Sequence, residues 1–108
     1  MQFTFKDTEI EGVKIIQYDN FTDERGTIWT TYHENQFNKS KLGRFTHDKF
    51  STSKKDVIRG IHYDNKTTKL VTLAHGEIDQ VVVDMRKESL TFKKFLKFRI
   101  NEKNKFSI

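Results

Sequence analysis

A chain of 108 residues holds at most one domain, and a domain of this size buries only about 60–70% of the surface its unfolded chain exposes. Twenty Lys and Arg against 15 Asp and Glu leave a net charge of +5, which favours anionic partners such as phosphates, nucleic acid or acidic sugars. The sequence contains no cysteine, which excludes a disulfide framework and points to a reducing, cytoplasmic setting. No apolar run approaches the roughly 20 residues of a membrane-spanning helix.

Period-two patterning dominates from the first residues. "QFTFKDTEI" and "VKIIQYD" read as strands joined by a turn around Gly12, and the alternation, with no apolar h-region, is unlike a signal peptide. "FTDERGTIWTTYH" reads as a turn at "DERG" followed by a strand over Ile28 to Tyr32. The polar "ENQFNKSKLG" is the one candidate for a short helix or loop, closed by Gly43. Next come a strand in "RFTHDKFSTS", a strand in "DVIRGIHYD", a turn at "NKTT" and a strand in "KLVTLAHG". "EIDQVVVDMR" and "FKKFLKFRI" alternate strongly, and "FSI" opens a further strand. Many short strands separated by tight turns predict an all-β sandwich or barrel.

The chemistry concentrates in "VIRGIHYDNKTTKLV", residues 57 to 71. A lone strand histidine is more often a packed structural residue than a catalytic one, but His62 has three unusual neighbours. Gly60 inside a strand marks a bulge or a close backbone approach. Arg59 offers a planar fork for a phosphate. Lys69 lies on the adjoining predicted strand, where antiparallel pairing brings it towards His62. A histidine base beside a fixed cation suits proton abstraction next to a carbonyl, the cation stabilising the enolate as charge builds on oxygen. His47 lines the same cavity or bonds its neighbour Asp48; His75 reads as a turn residue and His33 as solvated surface. The sequence has no H-x-H pair, and His62 with Asp64 is the best metal-ligand fragment, a weak one. No metal or cofactor is expected. The basic tail "KFRINEKNK" with Phe92, Phe95 and Phe98 is a possible nucleic-acid patch, but it reads better as core aromatics with a solvated lysine face. Neither nucleic acid nor membrane is expected as a partner.

Taken together, "FTDERGTIW", "F-x-H-D-K-F-S-x-S", "VIRGIHYD", "KLV" and "G-E-I-D-Q-V-V-V-D-M-R-K-E-S-L-T-F" resemble, in order and spacing, the dTDP-4-dehydrorhamnose 3,5-epimerases. The likeness spans residues 16 to about 95 and is strongest to the branch acting on nucleotide-linked 4-keto sugars of bacterial surface polysaccharides such as lipopolysaccharide, GDP-heptoses included. It implies a cupin-type jelly roll, a homodimer, a site inside the barrel and no metal. It implies that His62 is the base for the C3 and C5 protons, that Lys69 stabilises the enolate, and that Arg59 meets the substrate's diphosphate. Phe21 and Arg25 are similar to residues that reach the neighbouring subunit's nucleotide, and Ser51 and Ser53 match an S-x-S near the substrate. His47 and Lys49 stand where the family has glutamine and asparagine, and Thr30 where it has glutamate. The resemblance places a tyrosine acid and a histidine-orienting aspartate beyond Ile108. Residues 1–108 therefore read as a single cupin-like domain, the N-terminal portion of a longer family member. Such a portion is expected to seek a second subunit through its first strand and to have negligible epimerase activity alone. The expected function is epimerisation of a nucleotide-diphosphate 4-keto-6-deoxy sugar. A 3,4-ketoisomerase of the same fold and a non-catalytic sugar-nucleotide binder are the alternatives.

Overall fold

The computed structural model describes residues 2–104 and 106–108. Among the described residues seven strands and one short helix follow in chain order: β1 (Phe3–Asp7), β2 (Lys14–Tyr18), β3 (Asn20–Asp23), β4 (Gly26–Trp29), α1 (Glu34–Asn38), β5 (Glu77–Val83), β6 (Phe95–Asn101) and β7 (Phe106–Ser107). All pairings are antiparallel, giving a three-stranded sheet β1-β2-β7 and two hairpins, β3-β4 and β5-β6.

Alternation decides which face of the first sheet is buried. Phe3, Phe5, Ile16 and Tyr18 lie opposite one another in register and point inward, while Thr4, Lys6 and Gln17 face water. The turn between these strands needs Gly12, whose φ is +90°. Helix α1 closes over the sheet with a single residue, Phe37, which is 0% exposed. Its ring meets Phe3, Phe5 and Phe45 edge-on at centroid distances of 5.3, 5.2 and 5.9 Å, and Tyr32 at 4.7 Å. Trp29, Leu42 and Leu70 pack around the same cluster.

The β5–β6 hairpin is sorted by face. Ile78, Val82, Leu96, Phe98 and Ile100 lie on one side. On the other, Arg99 is bonded to Asp79 at 2.9 Å and pairs with Glu77 at 3.7 Å, and Lys97 pairs with Asp79 at 3.7 Å. Lys97 and Arg99 of the basic tail thus form a cross-strand ion ladder, while its Lys105 lies outside the described residues. Its aromatics do not all turn inward as the sequence predicts: Phe98 packs edge-on against Phe106 at 6.3 Å, whereas Phe95 and Phe92 remain exposed. Phe95 pairs with Val83 on the ladder's face, since residues 95, 97 and 99 share one side of the strand.

Past β5 the chain folds around a buried carboxylate. Asp84 accepts hydrogen bonds from Arg86 Nε (2.9 Å) and Nη2 (3.1 Å), from the Arg86 amide (3.0 Å), and from the hydroxyls of Ser89 (2.5 Å) and Thr91 (2.6 Å). The Arg86 guanidinium and the two hydroxyls hold this carboxyl far below the usual carboxylate range. Arg86 also donates to the Glu11 carbonyl at 2.9 Å, and Lys94 pairs with Glu9, so the loop is fastened to the β1–β2 turn.

Three segments predicted to hold strands form none: residues 44–53, 56–64 and 69–76. Extended backbone becomes a strand only beside a partner, and none of the described strands lies alongside them. The exception is local: Val71 and Ile108 exchange two backbone hydrogen bonds, at 2.9 and 3.1 Å. His33, expected on the surface, is half-buried at the start of α1, and its Nδ1 is enclosed with no hydrogen-bond partner among the described residues.

Two stability outcomes follow. Phe37→Ala should cost about 3–5 kcal/mol, the usual range for deleting a buried phenylalanine, read from urea unfolding midpoints. Asp84 contributes stability that is fully present above its unfolded pKa of about 3.9 and is lost as pH falls towards its depressed folded value. Asp84→Asn should therefore lower Tm at neutral pH and flatten the fall of Tm below about pH 4. An unchanged acid slope in this variant would assign the acid sensitivity to another group.

Candidate functional site

Residues 46–69 run as an exposed excursion between Phe45 and Leu70, both of which pack on the core cluster. Within it the chain doubles back through a turn at Lys55–Asp56, where Asp56 has φ +65°. This reversal brings Arg59 onto the S-x-S segment. Arg59 Nε donates to Ser53 Oγ at 2.8 Å, and its Nη2 donates to the Thr52 carbonyl at 3.0 Å. Arg59 and Ser53, singled out separately in the sequence, are thus in direct contact.

Gly60 has φ +116°, a conformation open to glycine and strained for any L side chain. The His62 ring folds back over it: a Cβ placed on Gly60 would lie 3.3 Å from both the His62 amide nitrogen and Nδ1. The glycine of R-G-x-H therefore makes room for the His62 backbone and imidazole, the close approach that was one of the two readings of Gly60 in the sequence, the other being a bulge.

After His62 the chain turns again, as "NKTT" predicts. Asp64 Oδ1 accepts from the Lys66 amide at 2.7 Å and Oδ2 from the Thr67 hydroxyl at 2.8 Å. These bonds, with the nearby charge of Lys69, lower the Asp64 pKa. The Asp64 carboxylate is thus engaged within its own turn, unlike the paired metal fragment His62–Asp64 considered from the sequence. Among the described residues no three His, Cys, Asp or Glu side chains gather as metal ligands. Lys69 follows this turn, but no β-ladder joins its segment to that of His62, contrary to the predicted antiparallel pairing.

The remaining candidates are dispersed. Phe21 and Ile28 form a cross-strand pair on the β3–β4 hairpin and are 62% and 71% exposed. Arg25, at the hairpin tip, is held by Asp23 through Nη2 at 2.6 Å and Nε at 3.2 Å, which raises the Arg25 pKa and lowers that of Asp23. His47 and Ser51 are exposed on the excursion. His75 is a turn residue as predicted, paired with Glu102. Phe50, Ile58, Ile61 and Tyr63 on the same excursion all face solvent. The sequence reading missed Asp84, whose signal was a D-x-R followed by two hydroxyl residues.

The matches to known proteins cover almost the whole of this arrangement. The family model for dTDP-4-dehydrorhamnose 3,5-epimerase matches residues 7–108. The chain belongs to the dTDP-4-dehydrorhamnose 3,5-epimerase family. It is 39% identical over 104 residues to the epimerase of Salmonella typhimurium, covering 91% of this chain and 56% of that protein. It is 36% identical over 107 residues to the epimerase of Methanothermobacter thermautotrophicus, covering 96% and 58%. The chain thus spans a little over half the length of these relatives. It superposes on the dTDP-6-deoxy-D-glucose-3,5-epimerase of Legionella pneumophila Philadelphia 1, solved in complex with dTDP-4-keto-L-rhamnose, with a TM-score of 0.89 at 33% identity, covering 98% of this chain and 58% of that one. The nearly all-strand architecture follows the cupin-type jelly roll of these epimerases. Among the described residues no helix is long and apolar enough to cross a membrane.

The close approach at Gly60 is open to test. Gly60→Ala should destabilise the folded chain by about 1–2 kcal/mol, the cost of a left-handed conformation for a residue with a Cβ. It should also move the His62 ring resonances in a ¹H–¹³C spectrum. Unmoved His62 resonances would show that the ring does not rest on Gly60.

Proposed function

We propose that this protein is an epimerase of a nucleotide-diphosphate 4-keto-6-deoxy sugar, acting within a cytoplasmic homodimer on the way to surface polysaccharide sugars. The observation that carries the reading is the match over residues 7–108, because it includes Arg59, His62 and Lys69 in a single stretch. The sugar nucleotide held by the Legionella relative supplies the substrate class.

In this reading the C4 ketone acidifies the hydrogens on C3 and C5. His62 takes one of these protons, and the electron pair left on carbon moves onto the C4 oxygen as an enolate. Lys69 lies after the turn that follows His62, and its fixed positive charge stabilises that oxygen as it becomes negative. The enolate collapses, and carbon receives a proton on the opposite face, which inverts the centre. Arg59 holds the diphosphate, aided by the chain's net positive charge. His47, Ser51 and Ser53 border the substrate. Phe21 and Arg25, on their projecting hairpin, meet the nucleotide bound by the second subunit. The exposed Phe21–Ile28 pair supports that contact, since apolar side chains grouped on a surface favour a protein partner.

The tyrosines have other occupations. Tyr18 is buried against Ser107, Tyr32 packs on Phe37, and Tyr63 donates to Asn65 at 2.6 Å. The reprotonating acid is assigned to none of them.

The test is proton exchange. In the full-length protein, His62→Asn should slow the exchange of substrate C3 and C5 hydrogens with heavy water by about 10²–10⁴-fold. Lys69→Met should reduce turnover more than binding, because a developing oxyanion gains most from the cation. Arg59→Ala should chiefly weaken nucleotide binding, with a smaller salt dependence than the parent. Undiminished exchange in His62→Asn would place the base elsewhere.

A further inference from the structure

The two serines of the S-x-S segment are not equivalent. Among the described residues Ser51 makes no side-chain hydrogen bond, whereas Ser53 Oγ accepts one from Arg59 Nε at 2.8 Å. The Thr52 carbonyl accepts a second from Nη2 of the same guanidinium, at 3.0 Å. A guanidinium has five N–H donors arranged on a planar fork. Nε and Nη2 share its side edge, so both bonds occupy that edge. The end edge, one N–H from Nη1 and one from Nη2, has no partner among the described residues and has the parallel spacing that two oxygens of a phosphate require. Arg59 and Ser53 are both exposed, and a solvated arginine otherwise samples many rotamers. Binding an anion would then require it to be ordered first.

We propose that Ser53 is a positioning residue: it fixes the side edge of Arg59 so that the end edge is presented to the substrate's diphosphate, and it does not itself touch the substrate. The turn at Lys55–Asp56 is what allows this, because it carries residue 59 back to residue 53. This refines the assignment of Ser53 as a substrate contact and rests on the reading that Arg59 binds the diphosphate.

A double-mutant cycle on dTDP binding by the full-length protein, measured by calorimetry at fixed low salt, tests it. Ser53→Ala should weaken binding about 3- to 10-fold, the effect of one hydrogen bond. Ser53→Thr keeps the hydroxyl and should restore most of the loss. In an Arg59→Ala background, Ser53→Ala should have no further effect, because a residue that acts through Arg59 has nothing left to position. Losses that multiply would mean that Ser53 contacts the ligand directly and would overturn the proposal. Arg59→Ala binding as tightly as the parent would instead overturn the diphosphate reading beneath it. A second measurement needs no ligand: the ¹⁵N-detected Nε–H of Arg59 should exchange with water more slowly in the parent than in Ser53→Ala. Equal exchange rates in the two proteins would show that the bond is absent in solution, and the proposal would fall.

Discussion

Phe37 is the point at which the separate pieces of this chain become one structure. Helix α1 is only five residues long and has no side-chain N-cap, so it does not stand alone: isolated helices below about 12–15 residues are marginal in water. It persists because one aromatic ring is enclosed by Phe3 and Phe5 of β1, by Tyr32 before the helix and by Phe45 after it. Edge-to-face ring pairs add directionality to burial, and three such neighbours with the tilted Tyr32 leave the ring little freedom to turn. The cluster also holds Leu42, Phe45 and Leu70. Both ends of the 46–69 excursion are therefore tied to the same aromatic core.

That tethering shapes the candidate site. A long exposed stretch with free ends would sample many conformations, and its closure entropy would grow with length. Here Phe45 anchors the entry, and Leu70 with the Val71–Ile108 bond pair anchors the exit. Between these anchors two short-range turns, at Lys55–Asp56 and at Asp64–Thr67, divide the excursion into pieces. The cationic and imidazole groups fall on these pieces: Arg59 against Ser53, His62 over Gly60, and Lys69 just after the second turn. The Asp84 loop plays the same fastening role for the second half of the chain, through the Arg86 bond to the Glu11 carbonyl.

Elements whose partner is adjacent in sequence were legible from pattern alone. β1 with β2 combine alternation with a turn signal at Gly12, and β5 and β6 each show the alternation; the β3–β4 hairpin was legible only as a turn at "DERG" followed by a strand over Ile28 to Tyr32, whereas its strands are Asn20–Asp23 and Gly26–Trp29. The helix was legible because "ENQFN" breaks the alternation. The 44–75 region defeated the same reasoning. Alternation reports that a segment would sit well in a sheet, but says nothing of which strand supplies the ladder. For the candidate site, the sequence offers residues but not the contacts between them. Arg59 and Ser53 were chosen independently; that one bonds the other depends on a turn whose Asp56 takes a left-handed conformation that no glycine announces. His33 was misjudged because its polar flank, "HEN", hides the neighbouring Tyr32, which draws the helix start towards the core. An aspartate after a valine run reads as the end of a strand, whereas the burial of Asp84 depends on donors from three residues further on, Arg86, Ser89 and Thr91.

The charge ladder on β5–β6 bears on how faithfully this hairpin forms. Val81, Val82 and Val83 are interchangeable to a sheet, so the valine run taken alone discriminates weakly between neighbouring alignments. Arg99 facing Asp79 is not interchangeable. Sliding β6 by one position would place Ile100 or Phe98 opposite Asp79 and turn the arginine towards the side occupied by Ile78 and Val82, stranding a guanidinium among hydrocarbons. The surface ions add little to the depth of the native well, yet they raise the energy of the nearest competing alignment. An arginine facing an aspartate across the ladder thus sets the alignment of the two strands more than it deepens their stability.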